Sequence, residues 1–393
     1  MSKQNEQKSI QIPLPNLRPR QEKTVLGLGA ELKANFCIIN NGIASLSRGF
    51  GDLKNPDCYN SYKKAVINEL KKKKLNPKII VSDLNPQFLN TKFATELQKE
   101  LFTKSTVSGV QHHYAHIAGA MALLNLQKKR AIGIACDGTG WGDDGRIWGF
   151  EFLLANLRGY KRVGHLDYIQ LPGADRAVTE PIRVALGLLF KTYGDNIYKL
   201  PIEWLKKSHY KIDILLKMLK SNINSPLASS AGRVFDGVAA LTGICCLAKF
   251  EAEPAIRLEQ EAAKVINKET RQYPYKIKKC TDKFVIDIDL MTRAIVKDIS
   301  KKIPKKNIAA RFHNTFSHII IAMCKKIKKE YSVADVVLGG GVFFNKIITR
   351  QVQAGLEKNG FIVHRPYDFV LGDAGLSLGQ AVIAYVSGSS RKN

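Results

Sequence analysis

The sequence predicts an α/β protein with two lobes. Short apolar strands alternate with amphipathic helices along much of the chain, which is the pattern of an α/β fold. Each half also has a glycine-rich turn and an acidic residue after a strand, as two related lobes would have. With 393 residues, the chain is long enough to bury two or three separate cores.

The boundaries of the lobes follow from composition and element order. Residues 1–23 are polar and contain three prolines, so we expect an extended tail or a linker between domains. We expect the first α/β lobe at residues 24–128, joined by the last helix at about 374–393. The second lobe then takes residues 129–373 and carries a helical insert at about 181–270.

The first lobe begins with three strands after Thr24. The first strand ends in a small-residue turn, and Asn41-Gly42 forms a tight hairpin turn between the second and the third. The first turn is followed by Lys33 and suits a phosphate, although such an element is more often simply a turn. Hydrophobic periodicity then predicts helix, strand, helix and strand, at residues 54–74, 78–83, 91–101 and 106–110.

A histidine pair opens the next helix. His112 and His116 are four residues apart, so both imidazoles project from one face of the helix. With carboxylates they would form a mixed nitrogen and oxygen site for Fe(II), Zn(II) or Mn(II), although such a pair alone is more often bound by carbonyls or water. Asp137 follows the strand at residues 131–135, beside a glycine-rich turn. Asp373 is the second candidate carboxylate, or else an ordinary helix cap.

The second lobe continues with two long strands, RIWGFEFLL and GYKRVGHLDYIQL. Pro172-Gly173 marks a turn, Asp175 and Glu180 are exposed polar candidates, and Pro181 suits the first position of a helix. FVIDIDL is predicted as a later strand. Further helices are predicted at residues 204–220, 234–247, 251–264, 291–302 and 308–329.

Two glycine-containing turns are candidates for nucleotide binding. In SSAGRVFDG, Gly232 and Arg233 stand just before a helix that carries Asp236 in its first turn. A helix entrance of this kind can hold an anion or a ribose, although a simple cap is the default interpretation. The second turn, Gly339 to Gly341, joins a strand to a helix. Three successive glycines are hard to justify by packing alone, so we favour a nucleotide role.

Composition excludes several classes of protein. No apolar run approaches the roughly 18 residues of a membrane helix, and the start, MSKQNEQKSI, lacks an apolar signal core, so we expect a cytoplasmic protein. The seven cysteines form an odd set without a CxxC pair, which argues against a disulfide framework or a zinc knuckle. The net charge of +27 would suit RNA or an acidic partner. Because the lysine clusters are dispersed and lack interleaved aromatics, nucleic acid is the less favoured partner.

Taken together and in this order, the motifs resemble the carboxyl-terminal transferase module of the HypF family, carbamoyltransferases that mature nickel–iron hydrogenases. The resemblance runs from about Leu26 to the end of the chain. The motifs that carry it are GAELKANFC, SDLNPQF, VQHHYAH, DGTGWGDDGRIWGFEF, LPGADRAVTEPIR, SSAGRVFDGVAALTG, LGGGVFFN and GDAGLSLGQAVIA. The family implies an actin-like (ASKHA, sugar kinase–Hsp70–actin) two-lobe fold with the nucleotide between the lobes.

The resemblance also implies a set of site residues. A divalent metal would be bound by four side chains, which are then also the catalytic residues: His112, His116, Asp137 and Asp373. The metal would be Fe2+ or Zn2+, or Mg2+ held together with the nucleotide. The nucleotide contacts that it implies are Asp175, Gly232, Arg233, Asp236, Gly339, Gly340, Gly341 and Asn345.

The family's reaction implies two protein partners. A carbamoyl group moves from ATP-derived carbamoyl-adenylate to the carboxyl-terminal cysteine of a HypE-like acceptor. Full-length members also carry an acylphosphatase-like domain, zinc-binding cysteine motifs and a YrdC-like domain that makes the carbamoyl-adenylate. None is present in this sequence, so we expect a separate YrdC-like protein or domain to supply it. The pair Gly29-Ala30 also departs from the two glycines usual in the family's first motif, so that turn is expected to differ slightly.

Three alternative functions remain open. A tRNA threonylcarbamoyl transferase would suit the net charge of +27, but it lacks DGTGWGDDG and SSAGRVFDG as written here. The other two are an O-carbamoyltransferase that modifies small-molecule hydroxyls and a non-catalytic actin-like nucleotide-binding protein. Salt-sensitive tRNA affinity would favour the first. Nucleotide retention without turnover, even when an acceptor is supplied, would favour the last.

Overall fold

The computed structural model describes residues 9–14, 17, 23–126, 129–207 and 209–387. It contains two mixed sheets, each with helices packed against it. The strands of the first sheet are β1 (Ile10–Pro13), β2 (Val25–Gly27), β3 (Cys37–Asn40), β4 (Ile43–Leu46), β5 (Ile79–Asp83) and β6 (Thr106–Val110). The helices of this part of the chain are α1 (Pro56–Lys72), α2 (Leu89–Glu100) and α3 (His112–Leu123). The hairpin, the two helices and the two later strands predicted for this region are confirmed.

Part of the expected tail forms a strand. β1 pairs antiparallel with β4, so that Ile12 lies opposite Ala44 and is buried. Leu14 is also buried, with 1% of its surface exposed. The prediction of an extended tail was wrong for these residues. Pro13 does not prevent strand formation, because its missing N–H would point to the open side of an edge strand and has no partner to lose there. The rest of the predicted tail lies largely outside the described residues.

The second sheet is larger. Its strands are β7 (Ala131–Trp141), β8 (Ile147–Asn156), β9 (Gly159–Leu166), β10 (Ile169–Gln170), β11 (Leu227–Ser230), β12 (Lys276–Cys280), β13 (Lys283–Asp287), β14 (Asp335–Gly339) and β15 (Ile362–His364). The helices are α4 (Arg176–Thr179), α5 (Pro181–Tyr193), α6 (Glu203–Lys207), α7 (His209–Lys220), α8 (Ala231–Leu241), α9 (Glu253–Ala263), α10 (Asp289–Ser300), α11 (Lys305–Tyr331), α12 (Lys346–Lys358), α13 (Asp368–Leu371) and α14 (Leu376–Ser387). Single 3-10 turns lie at Gly194–Lys199, Gly341–Phe344 and Asp373–Gly375.

Both sheets contain the same five-stranded unit. In the first, β4, β3 and β2 are antiparallel neighbours, and β5 and β6 continue parallel to β2. In the second, β9, β8 and β7 are antiparallel neighbours, and β14 and β15 continue parallel to β7. The similarity between the two halves of the sequence therefore corresponds to a repeated sheet topology.

Three elements of the second half differ from the sequence predictions. β11 lies within the expected helical insert and pairs parallel with β8. β12 has the sequence KIKKC and forms an exposed edge of the sheet, where lysines protect the open strand from pairing with other chains. α8 begins earlier than predicted and ends at Leu241, because Gly243 adopts a φ of +66° shortly afterwards.

Helices α3 and α14 lie between the sheets. They pack on each other, α14 also contacts β2, and α3 contacts β7 and β14. The backbones approach closely, since a Cβ on Gly379 would stand 1.9 Å from the carbonyl oxygen of Ala115. One continuous apolar core includes residues from both sheets and both helices, among them Val25, Ile117, Val337 and Leu376. Among the described residues, none of the helices combines the length and the apolar character that crossing a bilayer requires.

Candidate metal and nucleotide site

The two histidines of α3 are held at the start of a buried helix. Gln111 caps this helix, its side chain accepting a hydrogen bond from the backbone N–H of Tyr114 at 2.8 Å. His112 and His116 are 2% and 1% exposed, and their ring centroids are 5.0 Å apart. Because α3 lies between the sheets, its histidines meet carboxylates from both of them: Asp83 of β5 contacts His112, and Asp137 of β7 contacts His116.

Asp137 approaches the histidines from β7. One of its carboxylate oxygens, Oδ2, lies 2.8 Å from Nε2 of His116 and 3.5 Å from Nε2 of His112. The other, Oδ1, accepts hydrogen bonds from the backbone N–H groups of Gly138 at 2.8 Å and Gly341 at 3.3 Å. The carboxylate is therefore oriented by the backbone of two separate segments.

The glycine-rich segment after Asp137 is part of a strand. The prediction of a strand that ends at residue 135 was wrong, since β7 continues to Trp141 with an irregularity in register between Cys136 and Gly140. A Cβ on Gly140 would stand 2.5 Å from Cε1 of His113 and 2.8 Å from Cδ2 of His112. Glycine is required here because the strand passes directly against the histidine rings.

Asp373 completes the cluster from the far end of the sequence. It lies in the 3-10 turn before α14, and its Oδ1 is 3.6 Å from Nε2 of His116 and 3.9 Å from Nε2 of His112. One ligand atom from each of His112, His116, Asp137 and Asp373 can be chosen so that all lie within 4.8 Å of one another. Ligand atoms about 2.1 Å from a common ion are up to about 4.2 Å apart, so small side-chain movements would bring these four into coordination.

The charges in the cluster are strongly coupled. Burial disfavours an imidazolium, but the carboxylates of Asp83 and Asp137 outweigh it and hold the pKa of His112 well above its ordinary value. Burial alone would raise the pKa of Asp137, yet the hydrogen bonds from His112 and His116 lower it well below its usual range. Burial and then the charge of Asp137 raise the pKa of Asp373 to about 6. Without a metal, a proton on His112 thus supplies positive charge among the carboxylates.

The donor atoms fit a divalent cation. Nε2 of His112 is buried and, among the described residues, has no hydrogen-bond partner nearer than Oδ2 of Asp137, at 3.5 Å. Its other nitrogen, Nδ1, donates to Oδ2 of Asp83 at 2.8 Å, which leaves the Nε2 lone pair directed at the cluster. Two imidazoles and two carboxylates suit Fe(II), Zn(II) or Mn(II).

Two functional neighbours are absent from the residues predicted to form the site. Asp83 is 1% exposed and ends β5, within the motif SDLNPQF, so its place after a buried strand was the available signal. His113 is fully buried, and its Nδ1 lies 3.1 Å from Nε2 of Gln111, while its Nε2 has no hydrogen-bond partner in the described part of the chain. Burial and the neighbouring charge of His112 hold the pKa of His113 well below its ordinary value.

A buried guanidinium lies beside the cluster. Arg233 is 7% exposed, and its Nη2 stands 2.9 Å from Oδ2 of Asp236, while Nε and Nη1 have no hydrogen-bond partner among the residues that the structure describes. Burial, opposed by the charge of Arg233, raises the pKa of Asp236 to about 6. A Cβ on Gly232 would lie 2.9 Å from Cα of Gly138, so the first turn of α8 packs directly against the residue after Asp137. The two free nitrogens of Arg233 are suited to an anion.

The serines before α8 have structural roles. Ser230 caps the helix by accepting from the backbone N–H of Arg233 at 3.0 Å, which confirms the default interpretation of a cap. Ser229 donates to the fully buried Glu151 at 2.5 Å, and Glu151 also accepts from Arg162 Nε at 2.6 Å. These contacts fix the entrance of α8 relative to β8 and β9.

The glycine turn after β14 has a packing explanation that we did not expect. Gly340 adopts a φ of +94°, and a Cβ there would lie 2.3 Å from the carbonyl oxygen of Cys136. A Cβ on Gly339 would lie 3.1 Å from Cδ1 of Ile117, and only Gly341 faces Asp137. The expectation that packing alone does not account for these glycines is therefore wrong for Gly340.

Asn345 and Asp175, two of the predicted nucleotide contacts, have different surroundings. Asn345 is 8% exposed, its Oδ1 caps α12 by accepting from Ile348 N–H, and its Nδ2 lies 3.0 Å from Nε2 of His313. Burial lowers the pKa of His313 to about 4, so this ring is a neutral acceptor for Asn345. Asp175 is exposed in the turn before α4 and makes no capping hydrogen bond.

Comparison with known proteins gives one family. Residues 20–122 match the HypF Kae1-like domain, and residues 133–380 match the second subdomain of the Kae1-like domain of carbamoyltransferases. A carbamoyltransferase HypF from Synechocystis sp. is 32% identical over 382 residues, covering 94% of this chain and 48% of that protein. A carbamoyltransferase HypF homolog from Cupriavidus necator is 31% identical over 377 residues, covering 92% of this chain and 91% of that protein.

A solved structure agrees with these matches. Full-length HypF in its phosphate- and nucleotide-bound form superimposes with a TM-score of 0.86 at 35% identity, covering 95% of this chain and 57% of that one. The chain thus spans about half the length of several HypF proteins and nearly the whole of the shorter homolog. The fold is of the Kae1-like, ASKHA type, as predicted. The chain belongs to the HypF carbamoyltransferase family and corresponds to its Kae1-like region.

Proposed function

We propose that this chain transfers a carbamoyl group from carbamoyl-adenylate to a cysteine thiol of a HypE-like acceptor protein. The observation that carries the proposal is the convergence of His112, His116, Asp137 and Asp373 between the two sheets. Family membership supplies the reaction class, and a separate YrdC-like protein or domain would supply the carbamoyl-adenylate.

The cluster would hold a divalent cation, Fe2+ or Zn2+, or Mg2+ together with the nucleotide. The unpartnered Nε2 of His112 and the oxygens of Asp137 and Asp373 are the atoms that support this assignment. A cation bound there would offset the negative charge that develops on the phosphate as AMP leaves. Asp83 orients His112, and the backbone N–H groups of Gly138 and Gly341 orient Asp137.

Arg233 is the residue best suited to the phosphate of the substrate. Its two unpartnered nitrogens, Nε and Nη1, are buried, and each can donate a charge-assisted hydrogen bond to a phosphate oxygen. The guanidinium lies beside the cluster, since a Cβ on Gly138 would be 3.7 Å from its Nη2. A nucleotide held by Arg233 would thus place its phosphate next to Asp137. A full-length HypF has been solved with phosphate and nucleotide bound, which supports nucleotide binding in this family.

The acceptor supplies the nucleophile. Its thiolate attacks the carbamoyl carbon, the new carbon–sulfur bond forms, the carbon–oxygen bond to phosphate breaks, and AMP departs with the electron pair. Among this chain's cysteines, Cys37, Cys136 and Cys324 are fully buried, and burial raises the pKa of each thiol. Such thiols are poor nucleophiles at neutral pH.

The test is reconstitution from purified components. The protein is incubated with carbamoyl phosphate, ATP and a HypE-like acceptor, with and without a YrdC-like protein, and acceptor mass is followed. We expect carbamoylation only when the YrdC-like protein is present. His112→Ala should abolish it, whereas Cys136→Ser should retain it. Loss of transfer in a Cys136→Ser protein that is folded and retains its metal would contradict the scheme.

A tRNA substrate is the competing proposal, and the net charge of +27 favours it. Binding of tRNA that weakens steeply with salt, combined with threonylcarbamoylation of the tRNA and no transfer to the HypE-like acceptor, would establish it instead.

A further inference from the structure

His113 carries a buried polar atom that the folded chain does not use. It lies on α3 beside the histidines of the cluster, but it is not one of the four residues proposed to hold the cation. Its side chain is fully buried, and among the described residues its Nε2 has no hydrogen-bond partner. Buried donors and acceptors are nearly always paired, because an unpaired one is costly. This nitrogen is therefore available to a ligand that binds beside the cluster.

The hydrogen bonds of Gln111 determine which nitrogen of the His113 ring carries the proton. Oε1 of Gln111 accepts from the backbone N–H of Tyr114 at 2.8 Å, and its Nε2 donates to the backbone carbonyl of Trp141 at 3.0 Å. These two partners fix the orientation of the amide, since reversing it would lose both hydrogen bonds. The same amide nitrogen therefore donates to Nδ1 of His113 at 3.1 Å. Nδ1 is thus an acceptor, and the neutral ring carries its proton on Nε2.

Strand β7 fixes the position of the ring. The ring centroids of His113 and His112 are 5.2 Å apart, and a Cβ on Gly140 would stand 2.5 Å from Cε1 of His113. Through its amide partner, Nδ1 is held near Trp141, and Cε1 lies against Gly140. Nε2 is the next atom of the ring, so its N–H lies on the side of β7 that leads back to Asp137.

Arg233, the proposed phosphate ligand, lies against the same strand. A Cβ on Gly138 would be 3.7 Å from Nη2 of Arg233, whereas a Cβ on Gly140 would meet the ring of His113. Two residues of a strand span about 7 Å. In carbamoyl-adenylate, two bridging atoms separate the phosphorus from the carbamoyl oxygen. A substrate whose phosphate is held by Arg233 can thus bring its carbamoyl oxygen to Nε2–H of His113.

We propose that His113 donates a hydrogen bond from Nε2–H to the carbamoyl oxygen of the bound substrate and stabilises the negative charge that develops there during transfer. The inference rests on the proposed function, because it takes carbamoyl-adenylate as the substrate. As the acceptor's thiolate bonds to the carbamoyl carbon, an electron pair moves onto this oxygen, and it returns when the bond to phosphate breaks and AMP departs. The proton stays on Nε2 throughout, so the ring acts as a neutral donor.

Two ligands of equal charge test this hydrogen bond without any transfer. In the carbamoylmethylphosphonate ester of adenosine, a CH2 group replaces the labile bridging oxygen of carbamoyl-adenylate, whereas the methylphosphonate ester lacks the carbamoyl group. Both are titrated into the full chain with added Zn2+. We expect the wild type to bind the first ligand about 3- to 10-fold more tightly than the second. His113→Phe, which has no donor, should lose this difference, and His113→Gln, whose amide keeps an N–H at similar reach, should retain it.

A kinetic measurement with the HypE-like acceptor completes the test. We expect His113→Phe to lower kcat by about 100- to 1,000-fold, with affinity for the methylphosphonate ester and the urea midpoint of unfolding close to those of the wild type. His113→Gln should recover part of the rate. If His113→Phe does not fold, His113→Asn takes its place, because its carbonyl still accepts from Gln111 and it has no donor at the position of Nε2.

The outcomes separate this inference from the proposed function. If the wild type transfers nothing, but the difference between the ligands is present and is lost in His113→Phe, only the proposed function fails. The role of His113 is overturned if the wild type does not distinguish the ligands, if His113→Phe still distinguishes them, or if that variant loses affinity for both equally. A wild type that transfers and a His113→Phe variant with the same kcat overturn it as well.

Discussion

Asp83 offers the sharpest test of the metal cluster, because it contacts only the far side of one ligand. Its carboxylate is buried and accepts two hydrogen bonds: Oδ2 accepts one from Nδ1 of His112 at 2.8 Å, and Oδ1 accepts one from the backbone N–H of Asn85 at 2.9 Å. In Asp83→Asn the single carbonyl oxygen can serve only one of these two donors. The amide NH2 then faces the other, so either a backbone N–H or His112 loses its acceptor.

The magnitude follows from the strength of that hydrogen bond. A hydrogen bond to a charged group contributes about 1.5–3 kcal/mol, roughly twice a neutral one. Where the Asn carbonyl still accepts from His112, about 1–1.5 kcal/mol is lost, which lowers metal affinity about tenfold. Where the NH2 faces His112, the ring carries its proton on Nε2 and no longer offers a lone pair to the cation. The expected decrease in affinity is therefore about 10- to 100-fold.

The assay is competition with a chelator of known affinity, with folding checked by circular dichroism and urea unfolding. Asp335→Asn is the matched control, because it changes a similar carboxylate–histidine contact that does not involve the cluster. Oδ1 of Asp335, on β14, lies 2.7 Å from Nε2 of His364, on the neighbouring strand β15. It should leave metal affinity unchanged. If Asp83→Asn is folded and binds metal within about twofold of the wild type, the assignment of His112 Nε2 as a ligand is refuted.

Two predictions concern stability. Gly340→Ala should lower the free energy of unfolding by more than about 1–3 kcal/mol, because the strain of a positive φ is joined by a collision with the carbonyl of Cys136. Gly42→Ala is the control: Gly42 has a φ of +74° and no described atom within 4 Å of the added Cβ, so the loss should be only about 1 kcal/mol. Urea unfolding of both variants measures this, and equal losses would contradict the packing explanation. Hydrogen bonds, led by the one from Arg271, lower the pKa of Glu269 from 4.5 to about 2. The ionised carboxylate therefore contributes at most about 3 kcal/mol to the free energy of unfolding above pH 4.5, and this contribution is lost as the pH falls toward 2. Unfolding free energies at a series of acidic pH values should show a smaller loss in Glu269→Gln, and an identical pH dependence in both proteins would contradict the assignment.

The order of strands and helices was largely readable from the sequence because it depends on local periodicity. The strand at residues 106–110 and the helix from Pro181 lie where their patterns predict them. β1 and β12 were missed although both are edge strands of their sheets, β1 pairing with the distant β4 and β12 with the following β13. In β1 the alternation is only four residues long and stands among prolines and polar residues, and in β12 three of the five residues are lysines, so neither segment has the apolar content of a typical strand.

The glycines show most clearly what local patterns leave open. Gly138 and Gly140 predict a turn by composition, yet both lie in a strand, and Gly140 is needed there because the rings of His112 and His113 occupy the space where a side chain would be. Gly340 is predicted to bind the nucleotide, and independently of that role the carbonyl oxygen of Cys136 excludes a Cβ there. In both cases the residue that excludes a Cβ is distant in sequence, so no local pattern distinguishes close packing from ligand binding.

The sequence by itself determined the candidates: His112 and His116 on one helical face, and acidic residues at two later turns. Tertiary structure decided that Asp137 and Asp373 meet those rings, that Asp83 orients one of them, and that Asn345 is occupied by its own helix cap and His313. The physical reason is the distance along the chain over which each kind of information acts. Periodicity reports which way a side chain points from its own helix or strand. Contact across more than 200 residues depends on how two sheets pack around α3 and α14.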